Sequence, residues 1–216
     1  MEGVNVLLIR QTYYMEKRKE IKSLTLEIIN SLLDMTSSYD CYLNNPTENK
    51  RDAIFQMEDV IDKNEKRIEK YILEILSLEQ LNTDEIKWLF SMNRIIRELE
   101  RAGDQLINII TISNVVDVNV LRPLIMEFLI IEKDMMEWLA KGISDNNISA
   151  LKDVVSHDQY VNDLNKETYK NIANLIDDKK DISESKLKMI IISRFLERVG
   201  DHLVNSARVY INSLAE

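Results

Sequence analysis

Glycine and proline are scarce, with 4 and 2 among 216 residues. A sheet protein reverses direction every few residues and draws on these types for its turns, so their shortage argues against β architecture. A single cysteine, Cys41, excludes an internal disulfide framework and Cys-rich zinc motifs. Its simplest reading is a reduced, partly buried thiol in a cytoplasmic protein. With only two histidines, His157 and His202, no Ser/Cys–His nucleophilic constellation can be assembled, and no Glu-x-x-His pair suggests a ferritin-like di-iron site. Both histidines are expected to pack or cap rather than ligate. The glycines are too scattered for a phosphate-cradling loop, which disfavours nucleotide hydrolysis.

Long apolar runs are missing too. Stretches such as Met189–Ile192 and Phe128–Ile131 stop after four residues, far short of the ~20 that span a bilayer. The opening MEGVNVLLIRQ has an acid where a signal peptide wants positive charge. A soluble, cytoplasmic protein without membrane insertion is expected. Lys and Arg total 28 against 37 Asp and Glu, a formal charge of −9. That field repels a phosphate backbone and attracts cations, so nucleic acid is not an expected partner.

What remains is helix-forming material in an all-α pattern. The first helix is predicted from about Thr12 to Tyr42, with Leu24, Ile28, Leu32 and Met35 in a 3–4 rhythm. Asn45 and Pro46 suggest a cap and first position for the second, which runs to about Leu81. Its core stripe reads Ile54, Met57, Ile61, Ile68, Ile72, Ile75 and Leu76. The third spans about Glu85–Val116, behind the capping signal Asn82-Thr83-Asp84-Glu85. The fourth opens near Leu121-Arg122-Pro123, reaches Lys141 and is stopped by Gly142. The fifth covers about Ile148–Asp177. A charged turn, Asp178–Asp181, precedes a sixth that Ser183 caps and that begins at Glu184. Long helices joined by short polar turns pack as antiparallel neighbours, here as three and three.

An internal repeat supports that division. Residues 97–108, RELERAGDQLIN, align with 194–205, RFLERVGDHLVN, at eight of twelve positions. Both copies fall in the third helix of their triplet, and each carries a glycine, Gly103 or Gly200, at the same place. A mid-helix glycine costs about 0.5–1 kcal/mol relative to alanine. Using it twice implies close approach of another helix or a bound ion.

Each copy also places two acids one turn apart on one face: Glu100 with Asp104, and Glu197 with Asp201. Asn108 and Asn205 continue the line. The middle helix of each triplet offers a similar pair, Glu58 with Asp62 and Asp158 with Asn162. Like charges at that spacing repel unless something positive lies between them. Two facing helices that present oxygens at i and i+4 suit a hard or borderline cation. The competing reading is neutralisation by arginine. Arg97 and Arg194 precede Glu100 and Glu197 by three residues, whereas Arg101 and Arg198 point elsewhere.

The doubled Leu-Glu-Arg-x-Gly-Asp-x-x-x-Asn string, one per three-helix repeat, resembles the PhoU family of phosphate-signalling proteins. The likeness runs from about Tyr13 to Leu214. It implies two pseudo-symmetric three-helix bundles in tandem, divided here as 1–117 and 118–216. It also implies acidic motifs that hold multinuclear metal clusters on the bundle surface, of Fe, Mn, Mg or Zn. The corresponding residues are Glu58, Asp62, Glu100, Asp104, Asp158, Asn162, Glu197 and Asp201. Asn162 departs from the pattern, since an amide oxygen brings no charge and binds a hard cation more weakly.

The role implied is non-enzymatic: negative regulation of phosphate uptake and of the starvation response, through a phosphate ABC transporter ATPase and a membrane sensor kinase. Related domains also regulate sodium–phosphate and potassium transporters, so the client stays open. The residues themselves also permit a metal-dependent phosphoesterase. Long amphipathic helices make a homodimer the expected assembly.

Overall fold

A computed structural model describes residues 2–78, 80–177 and 183–214. The helices are α1 (Glu2–Asn44), α2 (Glu48–Leu78), α3 (Thr83–Ile112), α4 (Val118–Asp145), α5 (Ile148–Ser156), α6 (Asp158–Asp177) and α7 (Glu184–Leu214), with a 3-10 turn at Ser113–Val115. Among the described residues there is no strand, and no helix is long and apolar enough to cross a membrane. The expected turn at Asp178–Asp181 lies outside them.

Several helix boundaries differ from the sequence expectation, each for a local reason. Thr47 rather than Asn45 starts α2: its Oγ1 accepts from Lys50 N at 3.4 Å and its carbonyl from Arg51 N, which leaves Pro46 outside the helix. The α3 start is a full capping box, with Asn82 Oδ1 accepting from Glu85 N and Glu85 Oε2 accepting from Asn82 N, each at 2.9 Å. That helix tightens into the 3-10 turn instead of running on to Val116. Asp117 caps α4, so the helix opens three residues before Leu121 and takes Pro123 inside it. Gly142 does not stop α4. Helical backbone continues to Asp145, and Asn146 terminates it in the left-handed conformation at φ 53°. The fifth predicted helix is two: Asp153 O binds His157 Nδ1 at 2.8 Å, and the chain turns at His157 between α5 and α6.

The apolar stripes form one continuous core. Leu24, Ile28, Leu32 and Met35 are all buried, as are Ile54, Ile61, Ile68, Ile72 and Ile75. Met57 only packs against the core edge and Leu76 is exposed. Cys41 is exposed rather than partly buried.

The two triplets mirror each other in register. Buried positions of α1 recur in α4 at an offset of 100: Ile21 and Leu121, Ile28 and Phe128, Met35 and Met135, Leu43 and Ile143. On α3 and α7 the offset is 97, as in Leu99 and Leu196 or Leu106 and Leu203. These two helices make the most extensive packing in the molecule and run antiparallel, because Glu98 meets His202 while Asp117, beyond the end of α3, meets Ser185 at the start of α7. The α3–α7 pair therefore joins the two halves, and each half's outer helices pack against it.

Candidate metal centre

Close helix approach sets the acidic faces. A Cβ on Gly103 would lie 3.2 Å from Ile61 Cδ1, and one on Gly200 would lie 2.9 Å from Val161 Cγ1. At both places the glycine admits a β-branched side chain of the facing helix, α2 or α6. The acids one residue along, Asp104 beside Asp62 in the first half and Asp201 beside Asp158 in the second, are thereby brought within reach of each other's charge. The neighbour that explains the glycines is thus a helix.

In the first half, α2 and α3 together present Glu58, Asp62, Glu65, Glu100 and Asp104. Partial burial and the charges of Asp104, Glu65 and Asp62 push the Glu100 carboxyl up to about 7. Glu58 is raised by burial and then by Asp62 and Asp104, and Asp104 by burial and then Asp62. Little positive charge answers this concentration. Lys66 Nζ sits 3.1 Å from Asp62 Oδ2, while Arg97, the expected neutraliser of Glu100, reaches across to Glu69 Oε1 at 2.8 Å. Arg101 leans toward Glu98 at 3.8 Å.

The second half is built differently. Arg194 Nη1 donates to Glu197 Oε1 at 2.7 Å, and Arg208 Nη2 to Asp158 Oδ2 at 2.7 Å. Asn162 Nδ2 donates to the Asp158 carbonyl at 3.0 Å. Asp201 is raised by burial and by Asp158, with His202, Arg194 and Arg208 opposing. Glu197 is nearly buried, and its Oε2 has no hydrogen-bond partner. A buried carboxylate oxygen without a donor is costly, which leaves that oxygen available to a cation.

Among the described residues, no three His, Cys, Asp or Glu side chains close into a ready-made metal shell. The first-half acids fit a hard cation in type and in surplus charge, whereas arginines already hold two of the second-half ligands.

Two residues next to the motifs escaped the sequence reading. Glu98, exposed by 8%, faces His202 Nδ1 at 2.9 Å and accepts from Asn205 Nδ2 at 3.3 Å, so Asn205 serves the α3–α7 seam rather than the acidic line. Glu65 joins the first acidic face one turn beyond Asp62. Its helical spacing, Glu58-x-x-x-Asp62-x-x-Glu65, was the available signal.

The family model described as the PhoU domain matches residues 25–113 and again 127–209. The chain belongs to the PhoU family. Among curated relatives, a phosphate-specific transport system accessory protein PhoU homolog of Clostridium acetobutylicum is 24% identical over 199 residues, covering 87% of this chain and 91% of its own length. A second, PhoU homolog 1 of Methanothermobacter thermautotrophicus, is 24% identical over 194 residues and covers 88% and 85%. The fold matches the PhoU crystal structures from Streptococcus pneumoniae, at TM-score 0.79 and 17% identity over 93% of this chain and 96% of that one, and from Pseudomonas aeruginosa, at 0.70 and 16% over 97% and 98%. The expected all-α architecture of two three-helix repeats is therefore the PhoU fold.

Proposed function

We propose that this PhoU-family chain is a non-enzymatic regulator of phosphate transport, acting in the cytoplasm on a phosphate ABC transporter ATPase and its sensor kinase. Its control element is a cation-binding face on each half. The observation that carries this reading is the opposed acid rows of α2 and α3, where the charges of Asp62 and Asp104 raise the proton affinity of Glu58 and Glu100, and that of Asp62 raises Asp104, with Lys66 pairing Asp62 alone. The relatives named as phosphate-transport accessory proteins support the client assignment.

The first face is the stronger site. Glu58, Asp62, Glu100 and Asp104 would hold a hard divalent cation, which supplies positive charge and crosslinks α2 to α3. In the second face Asp201 and Glu197 Oε2 are available, while Asp158 and Glu197 Oε1 must first leave their arginines and Asn162 offers only an amide. The occupant is one or more of Fe, Mn, Mg or Zn, and the assembly is a homodimer. Such a cation ties surface shape to metal supply without any reaction.

Elemental analysis of the purified chain, together with phosphate-responsive reporter expression, tests the proposal. Asp104→Asn combined with Glu100→Gln is expected to remove most bound metal and to derepress the reporter at high phosphate. Full repression by a metal-free double variant would overturn it.

A further inference from the structure

The molecule carries a formal charge of −9, yet α1 gathers three cations, Arg18, Lys19 and Lys22, at the wall of one pocket. A pocket of about 200 Å³ opens where α1 crosses the start of α3 and the ends of α4 and α7, and is lined by Arg18, Lys19, Lys22, Trp88, Asn146 and Tyr210. The three basic residues come from little more than one turn of α1. Among the described residues none of them forms an ion pair, in contrast to Lys17 beside them, which is bound to Glu20 at 3.0 Å. Arg18 lies over the Trp88 ring at 4.7 Å, which holds its guanidinium at the pocket wall. Lys22 is half-buried, and burial and then the Arg18 charge press its proton affinity down, with Asp145 the one carboxylate opposing them.

Acceptors in the pocket are already committed. Asn146 Oδ1 takes bonds from Tyr210 Oη at 2.7 Å and from Lys22 Nζ at 3.3 Å. At the end of α4, Gly142 O accepts from the Asn146 and Asn147 amides, and the single Tyr210 hydroxyl proton is shared between Asn146 Oδ1 and, at 3.3 Å, Ile143 O. Exposed into the space are a guanidinium, two ammonium groups and the Asn146 amide nitrogen, all of them donors.

The other half shows that the fold does not require such a cluster. At the offset of 100 residues, Arg18, Lys19 and Lys22 correspond to Val118, Asn119 and Arg122. That lone arginine is neutralised by Asp40 at 3.1 Å.

We propose that this pocket is a binding site for a small tetrahedral oxyanion, inorganic phosphate or the phosphoryl group of a small phosphate ester, held by Arg18, Lys19, Lys22 and the Asn146 amide. Dense donors around a partly desolvated lysine are what a multiply charged oxyanion satisfies and a chloride does not. Its α3 and α7 residues, Trp88 and Tyr210, lie 12 and 9 residues along their helices from Glu100 and Asp201, and none of its lining residues belongs to the acidic faces, so the inference goes beyond the cation-dependent reading and does not depend on it.

Calorimetric titration of the full chain with inorganic phosphate, and separately with a nucleoside monophosphate, tests it. EDTA and constant ionic strength remove metal-bridged binding, so the outcome is separable from that of the acidic faces. Saturable phosphate binding that weakens at least tenfold in both Lys19→Gln and Lys22→Gln, and not in the remote Lys63→Gln, supports the inorganic ion. The same losses with the ester alone assign the site to a phosphorylated metabolite. Exposed Lys19 keeps the test valid if Lys22→Gln misfolds. Binding of neither ligand, or equal weakening in Lys63→Gln, overturns the proposal.

Discussion

His202 Nδ1 lies 2.9 Å from Glu98 Oε2, and the contact crosses the α3–α7 seam at a point where the repeat is broken. Glu98 corresponds to Phe195 and His202 to Gln105, so the two halves cannot make this bond twice. Gln105 is left with a buried Oε1 that has no partner. This polar clamp therefore has no counterpart in the repeat, and Asn205 adds a second donor to the same carboxylate oxygen.

Glu98→Ala is expected to destabilise the chain by about 1–3 kcal/mol, because it removes the acceptor of two part-buried donors. Asn205→Ala should cost less, since His202 keeps its bond. A double-mutant cycle between Glu98 and His202, read by urea unfolding, should return a coupling of about 0.5–3 kcal/mol. Coupling near zero would mean that this bond adds nothing to the seam.

A second buried carboxyl points the other way. Glu132 is fully buried on α4, and neither of its oxygens finds a partner. Burial alone raises its proton affinity well above the ordinary carboxylate range. At the α1–α4 offset it stands where the first half has Leu32. Glu132→Leu is expected to stabilise by about 1–3 kcal/mol, with the volume nearly kept. The native carboxyl binds its proton more tightly than the unfolded one, so its contribution is complete below the unfolded pKa and is lost as pH rises. The gain from Glu132→Leu should therefore be larger at pH 8 than at pH 5. A constant difference across that range would show that the carboxyl stays hydrated.

These examples mark what the chain makes legible. The all-helical layout and most of the core stripes follow from apolar spacing, and the close approach at the paired glycines from the doubled string, because a repeat records the same packing demand twice. The break at His157 was not readable: α5 and α6 keep a continuous polar and apolar rhythm, and the turn rests on a histidine side-chain bond to Asp153 O. The helix end at Asn146 was misplaced because glycine is the commoner stop, and here Gly142 is used for contact. A Cβ at Gly142 would sit 2.4 Å from Leu151 Cδ2. Ligand types were legible from i and i+4 spacing, but which acids an arginine holds depends on side chains from other turns and other helices, as with Arg208 on Asp158.

The repeated glycines are not equivalent. At Gly103 an added methyl meets the flexible tip of Ile61 at 3.2 Å, while at Gly200 it meets Val161 Cγ1 at 2.9 Å, close to a branched Cβ that cannot swing away. Alanine gains about 0.5–1 kcal/mol in helix propensity at either site. Gly103→Ala should thus be near neutral, and Gly200→Ala destabilising by on the order of 1 kcal/mol after overpacking is counted. Val161→Ala should relieve Gly200→Ala, seen as a favourable coupling in thermal unfolding. Equal effects at the two glycines would argue against close packing as their cause.

The first acidic face should give the protein a pH dependence that cations reverse. Glu100 is raised to about 7 by burial and by Asp104, Glu65 and Asp62. Its folded-state pKa lies above the unfolded value near 4.3, so the native state binds more protons between the two. Stability in EDTA is therefore expected to fall as pH climbs through that window, by a modest amount because the group is only half-buried and solvent screens it. Glu100→Gln should flatten the slope. Millimolar Mg or Mn should raise the melting temperature at pH 8, where the carboxylates are free of protons, and do little at pH 5, where protons compete for the same oxygens. Asp104→Asn should shrink the cation effect more than Asp201→Asn does, since the second face already has Arg194 and Arg208 at its carboxylates. A cation response that is equal at both pH values, or unchanged in Asp104→Asn, would place the ion elsewhere on the acidic surface.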